Sequence, residues 1–135
     1  MKTLPNNVTI FNATPHPVHF WKEGWDEPVE VETDVVINAN VHEYQVAFPG
    51  NNLNEAVGND PFNDNYKVCF VRTDFIGDDT GKSVIESVPQ GALIVGSIIA
   101  AQAYPGKVVA MTPALGYERV APAEKRMNPD KFTVF

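Results

Sequence analysis

The chain has 135 residues, of which 10 are Lys or Arg and 17 are Asp or Glu, giving a formal net charge of −7. This length fits one domain of about 100–200 residues, and a hydrophobic content of 44% is typical of a globular protein. The negative charge argues against binding to long nucleic acids, because that affinity depends on Lys and Arg neutralising phosphates. We therefore expect a single domain over residues 1–135.

Membrane insertion, secretion and disulfide bonding are not expected either. No run approaches the ~18 apolar residues of a membrane span, and the start of the chain lacks the apolar segment of a secretory signal. Cys69 is the single cysteine, and it lies in an apolar run where a buried, inert thiol is expected. These features predict a cytoplasmic protein.

The first part of the chain is dominated by predicted strands. Alternating apolar and polar residues, many of them β-branched, predict strands at residues 7–12, 18–21, 29–36 and 40–48. Pro15 and Pro17 separate the first two strands, since each lacks an amide donor. Residues 23–26, which include Gly24, predict the turn of a hairpin.

The middle of the chain contains a long predicted loop. Residues 49–65 include six Asn, two Gly, two Pro and two Asp, a composition that favours turns. Loops longer than about 12–15 residues are uncommon without structure of their own, which indicates a functional lid or a mobile excursion. A strand is predicted over 66–73. Residues 77–83 are one residue short of a phosphate-binding loop, so we predict a solvated turn there.

The final third combines strands with one short helix. The continuous apolar run 91–95 predicts a central strand covered on both faces, and Ser97 is placed to cap a helix over 98–103. A strand over 107–111 and an edge strand over 131–135 follow. The expected fold class is α+β: a β-rich single domain with a mostly antiparallel or mixed sheet and one short helix near residues 97–104.

Two segments are candidates for a ligand site. Asn12, Thr14 and His16 lie where a strand ends, and the prolines around them restrict the backbone, which suits either a pre-organised site or a rigid turn. Ser97 lies at a strand-to-helix junction, where it can contact a phosphate or carboxylate or can simply cap the helix. The sequence alone does not decide between a site and a turn at residues 12–16, or between ligand contact and helix capping at Ser97.

Basic residues concentrate late in the chain. Half of them follow position 106: Lys107, Arg119, Lys125, Arg126 and Lys131. Such a cluster is commonly a solvated face, but Arg72, Arg119 or Arg126 can also bind a small anionic ligand through bidentate contacts that Lys cannot make. The spacing of the three His residues does not predict a metal site, and we expect no catalytic constellation and no cofactor.

Four segments resemble a family of small, mostly uncharacterised bacteriophage and prophage proteins whose opening strand leads into a Leu-Thr-Pro-His-like motif. They are residues 9–18, 71–77, 93–97 and 107–113. The chain departs from the family pattern by having Ala13 in place of Leu, an inserted Gly96, and an apparent insertion at 49–65. The resemblance implies a phage or mobile-element origin and a location in the host cytoplasm, and it brings no settled activity.

Three functional hypotheses follow. In the first, the protein binds and sequesters a nucleotide-like host immune signal without chemistry, using Asn12, Thr14, His16 and Ser97 with Arg72 or Arg119 at the interface of a homo-oligomer. In the second, His16 is the general base of a small hydrolase or transferase. In the third, the chain is a structural or protein-binding module that uses the Asn-rich loop and exposed Trp residues.

Overall fold

The computed structural model describes residues 1–46 and 70–135, which form a β-rich α+β fold with a mixed sheet, as the sequence predicts. The strands are β1 (Lys2–Thr3), β2 (Thr9–Asn12), β3 (Val18–Phe20), β4 (Val29–Val31), β5 (Asn40–Gln45), β6 (Val71–Ile76), β7 (Ala92–Gly96), β8 (Val108–Pro113) and β9 (Met127–Thr133). The helices are α1 (Asp79–Ser87) and α2 (Ile98–Ala103), and a 3-10 turn covers Pro122–Glu124.

Seven strands make one sheet in the order β1-β2-β7-β8-β9-β3-β4, and β5 with β6 makes a separate antiparallel pair. Neighbours β2, β7 and β8 run parallel, β9 is antiparallel to β8, and β3 is parallel to β9. The sheet curls into a nearly closed barrel. Its open side is bridged by Lys2 Nζ, which donates to the Glu30 carbonyl oxygen at 2.7 Å, and by Asp34 N, which donates to the Asn12 carbonyl oxygen at 2.9 Å.

The two-residue period of the strands divides the apolar side chains into two cores. In β2, Ile10 packs into the core enclosed by the curled sheet, whereas the next residue, Phe11, packs into the core beneath the helices. In β7, Ile94 and Val95 divide in the same way. This confirms that the apolar run 91–95 forms a central strand covered on both faces.

Helix α2 begins and ends where the sequence predicts, whereas the solvated turn predicted over 77–83 is wrong. Helix α1 begins within that segment, and the Asp78 carboxylate caps it by accepting from Gly81 N at 2.8 Å. Its apolar residues Val84, Ile85 and Val88 pack against the core beneath the helices. The ring of Tyr104, which follows α2, lies against Gly77 and Gly81. A cap and a distant aromatic ring therefore stabilise a segment whose composition favours a turn.

Further differences concern the ends of strands and the edge of the sheet. Strand β4 is shorter than the predicted 29–36, and the C-terminal strand, predicted as an edge, lies between β8 and β3. The predicted loop 49–65, Cys69 and the first part of the strand predicted over 66–73 lie outside the described residues. Within the described ranges, no helix is both long enough and apolar enough to cross a bilayer.

Candidate functional site

The first cavity lies where parallel strands β2, β7 and β8 end and where β3 and β9 begin. Because these strand ends meet at one edge of the sheet, side chains distant in sequence come together there. The cavity has a volume of about 380 Å³ and is lined by Thr14, Pro15, His16, Pro17, Val18, His19, Gly96, Ser97, Met111, Pro122, Lys125 and Met127. Three of the predicted site residues, Thr14, His16 and Ser97, are therefore in its wall.

Asn12 lies beneath the cavity and holds the turn that leads into it. Its Oδ1 accepts from Thr14 N at 2.9 Å and from Thr14 Oγ1 at 2.6 Å. Its Nδ2 donates to the carbonyl oxygens of His16 at 3.1 Å and Val31 at 2.9 Å. Asn12 is completely buried, so its amide supports the turn from within the protein. The segment is thus a turn held by side-chain hydrogen bonds, and it places Thr14 and His16 at a cavity.

The two histidines of the cavity differ in their surroundings. His16 is exposed, and its imidazole has no hydrogen bond or ion pair within residues 1–46 and 70–135. His19 is half-buried, and its Nε2 lies 3.6 Å from Glu30 Oε1 on the neighbouring strand β4. The His16 ring is therefore available to a ligand, whereas His19 has a carboxylate partner.

Ser97 caps α2, because its Oγ accepts from Ala100 N at 3.1 Å. A hydroxyl keeps one donor and a second acceptor position after such a cap, so Ser97 can also contact a molecule in the cavity. Gly96 beside it is buried, and a Cβ atom at that position would lie 2.7 Å from Val108 Cγ1. The absent side chain therefore allows β7 to pass close to β8 at the cavity wall.

None of the three arginines named from the sequence lines the first cavity. Arg72 is in β6, opposite Tyr44 in the separate two-stranded sheet, and Arg119 is exposed in the segment after Tyr117. The cation in the wall is Lys125, which precedes β9. In the sequence, Lys125 belongs to the cluster of basic residues after position 106, where it is next to Arg126. That cluster is the sequence feature that points to a cation here.

The first cavity has a cationic and apolar wall although the chain is acidic. Its lining includes Lys125, His16 and His19, and none of its twelve residues is Asp or Glu. Met111 and Met127 supply apolar surface that can contact a flat ring. Among the described residues, two carboxyl groups have a lowered pKa, and neither lines this cavity. Hydrogen bonds from Gly81 N and Asn40 lower the pKa of Asp78, and those from Asn6 and Lys22 lower the pKa of Asp130.

No protein-family model, curated protein or solved structure matches this chain. In the part of the chain that the structure describes, no three His, Cys, Asp or Glu side chains are grouped to hold a metal ion.

Proposed function

We propose that the protein binds a small anionic, nucleotide-like molecule in the first cavity and holds it without chemical change. The lining supports this proposal because Lys125 and His16 can contact a phosphate and no carboxylate in the wall opposes it. The apolar side chains of Met111 and Met127 offer a surface for a nucleobase. Thr14 and Ser97 add hydroxyl groups that can select the orientation of the ligand.

The biological setting belongs to the same proposal. We take the protein to be a phage-encoded accessory protein that acts in the host cytoplasm, sequesters a nucleotide immune signal and assembles as a homo-oligomer. The support is the resemblance of residues 9–18 and three later segments to small phage proteins, together with the chemistry of the cavity.

Calorimetry and thermal shift against mononucleotides, cyclic dinucleotides and ADP-ribose-type nucleotides test the proposal. A ligand at 100 times its Kd stabilises the folded state by about 2.7 kcal/mol, which is a readily measured increase in Tm. We expect micromolar binding by the wild type and a loss of about tenfold or more for Lys125→Met. Lys82→Met removes the same charge from the exposed face of α1 and should bind as the wild type does.

Two outcomes would overturn the proposal. If no nucleotide bound at micromolar concentration, the proposal that the protein binds a small anionic ligand would be excluded. Mass spectrometry of the ligand after incubation decides between holding and turnover: a binder returns the ligand unchanged, whereas conversion that is lost in His16→Ala would establish the hydrolase or transferase hypothesis instead.

A further inference from the structure

A second cavity adjoins the first and shares part of its wall. It has a volume of about 490 Å³ and is lined by His19, Pro28, Tyr117, Ala123, Glu124, Lys125 and Arg126. His19 and Lys125 line both cavities. The two cavities are therefore neighbours that meet at His19 and Lys125.

The second cavity contains an arginine that is held in place by aromatic rings. The guanidinium carbon of Arg126 lies 4.8 Å from the ring centroid of Tyr117 and 5.3 Å from that of Trp21. The two rings also contact each other edge to face, with centroids 5.8 Å apart. An arginine positioned in this way loses little further freedom when it binds an anion.

The guanidinium donors of Arg126 have no partner in the part of the chain that the structure describes. No hydrogen bond or ion pair to its guanidinium occurs in the described ranges, although Glu124 lines the same cavity. The two cation–π contacts do not pair the guanidinium with a carboxylate or a carbonyl oxygen, so its N–H groups can make bidentate contact with a phosphate. The second cavity thus provides an anion-binding group of its own.

Glu124 gives the second cavity a different chemistry from the first. A carboxylate repels a bare phosphate, but it accepts hydrogen bonds from the hydroxyls of a sugar or the amino group of a base. A cavity with one arginine, one carboxylate and the ring of Tyr117 suits the phosphate-linked nucleoside end of a ligand better than it suits an inorganic anion.

We infer that the two cavities form one two-part site for a dinucleotide, with its linking phosphates beside Lys125 and Arg126 and one nucleoside end in each cavity. This inference rests on the proposed function and specifies its ligand class. Pyrophosphate-bridged and cyclic dinucleotides share this chemistry, and the experiment distinguishes them.

Calorimetry on the full chain with AMP, NAD⁺ and cyclic di-AMP as probes tests the inference. We expect at least one of the two-part probes to bind about tenfold or more tightly than AMP. Arg126→Lys keeps the charge and loses the planar guanidinium that makes bidentate contacts. It should therefore weaken the binding of that probe about tenfold and leave the affinity for AMP unchanged. Arg119→Lys is the matched control, because Arg119 is exposed and lines neither cavity.

Ala123→Trp provides a second variant in case the Arg126 substitution disturbs folding. Ala123 is exposed and lines the second cavity alone, so a large ring there should reduce the affinity of the two-part probe to that of AMP. Equal affinity of the wild type for AMP and both larger probes would overturn the inference while the proposed function stands. The inference would also be overturned if either variant lowered the affinity for AMP and for the larger probe by the same factor. If none of the three probes bound, both the two-part site and the proposed function would be overturned.

Discussion

The hydroxyl oxygen of Tyr104 accepts a hydrogen bond from the backbone amide of Asp78 at 2.8 Å and thereby joins the end of α2 to the start of α1. Tyr104 is buried, and its ring covers Gly77 and Gly81. The position of α1 on the sheet therefore depends on a side chain 26 residues further along the chain.

Replacing Tyr104 by Phe tests that hydrogen bond. Tyr104→Phe removes the acceptor and keeps the ring, so we expect a loss of about 1 kcal/mol in the free energy of unfolding, measured in urea. Tyr44→Phe is the matched control, because Tyr44 is exposed in β5, and it should change stability by less than about 0.5 kcal/mol. Equal stability of the Tyr104 variant and the wild type would show that this bond does not hold α1.

Gly81→Ala should destabilise the protein although alanine is the better helix former. A Cβ atom at Gly81 would overlap the hydroxyl end of Tyr104, and crowding of this kind costs about 1–3 kcal/mol. Ser83→Ala lies in the same helix at an exposed position and should be neutral or slightly stabilising. Thermal unfolding of the two variants makes the comparison, and a rise in Tm for Gly81→Ala would contradict the packing described.

The contribution of Asp78 to stability should depend on pH. Its pKa is lowered from 3.8, first by the hydrogen bond from Gly81 N and next by that from Asn40, so folding favours the ionised carboxyl group. The resulting stability is present above pH 3.8 and is lost as the pH falls from there through the lowered pKa. The Tm difference between the wild type and Asp78→Ala should therefore be largest near neutral pH and shrink below pH 3.8. A difference that stays constant into the acid range would exclude this linkage.

Asn12→Ala should destabilise the turn that leads into the first cavity. The substitution removes four hydrogen bonds from a fully buried position, and the groups left without partners should lower the free energy of unfolding by about 3 kcal/mol. Asn38→Ala, at an exposed position, should change it by less than about 0.5 kcal/mol. Urea unfolding gives both values, and a small effect at Asn12 would mean that the turn holds its shape by its prolines alone.

Local patterns were sufficient for the elements that local interactions determine. The apolar run in β7 and the Ser97 cap of α2 are properties of short segments, and both appear where the sequence indicates. Helix α1 was missed because Gly77 and Gly81 favour a turn, and their role in accommodating Tyr104 is visible only in the folded chain. Two local signals were present: Asp78 as a cap, and the helical spacing of the apolar residues at 84, 85 and 88.

The candidate site was predictable in part for a similar reason. Thr14, His16 and Ser97 follow the ends of β2 and β7, and strand ends are visible in the sequence. The bidentate chemistry of its guanidinium makes Arg72 a candidate for anion binding, but the pairing of β6 with β5 puts it in the other sheet. The position of Lys125 in the cavity wall follows from the pairing of β9 with β8 and β3. This pairing joins segments that are too distant in sequence for any periodicity to reveal.

Strand β9 has a consequence for how the protein is made. It lies between β8 and β3, and β3 joins it through the Phe20 and Met127 register and the bond from Trp21 N to the Met127 carbonyl oxygen. During translation, the hairpin of β3 and β4 has no β9 to pair with until residue 127 has left the ribosome. A sheet with β9 as an interior strand folds through contacts of long sequence separation, which form slowly. The wall of the first cavity, to which Met127 belongs, is therefore incomplete until synthesis has passed the start of β9.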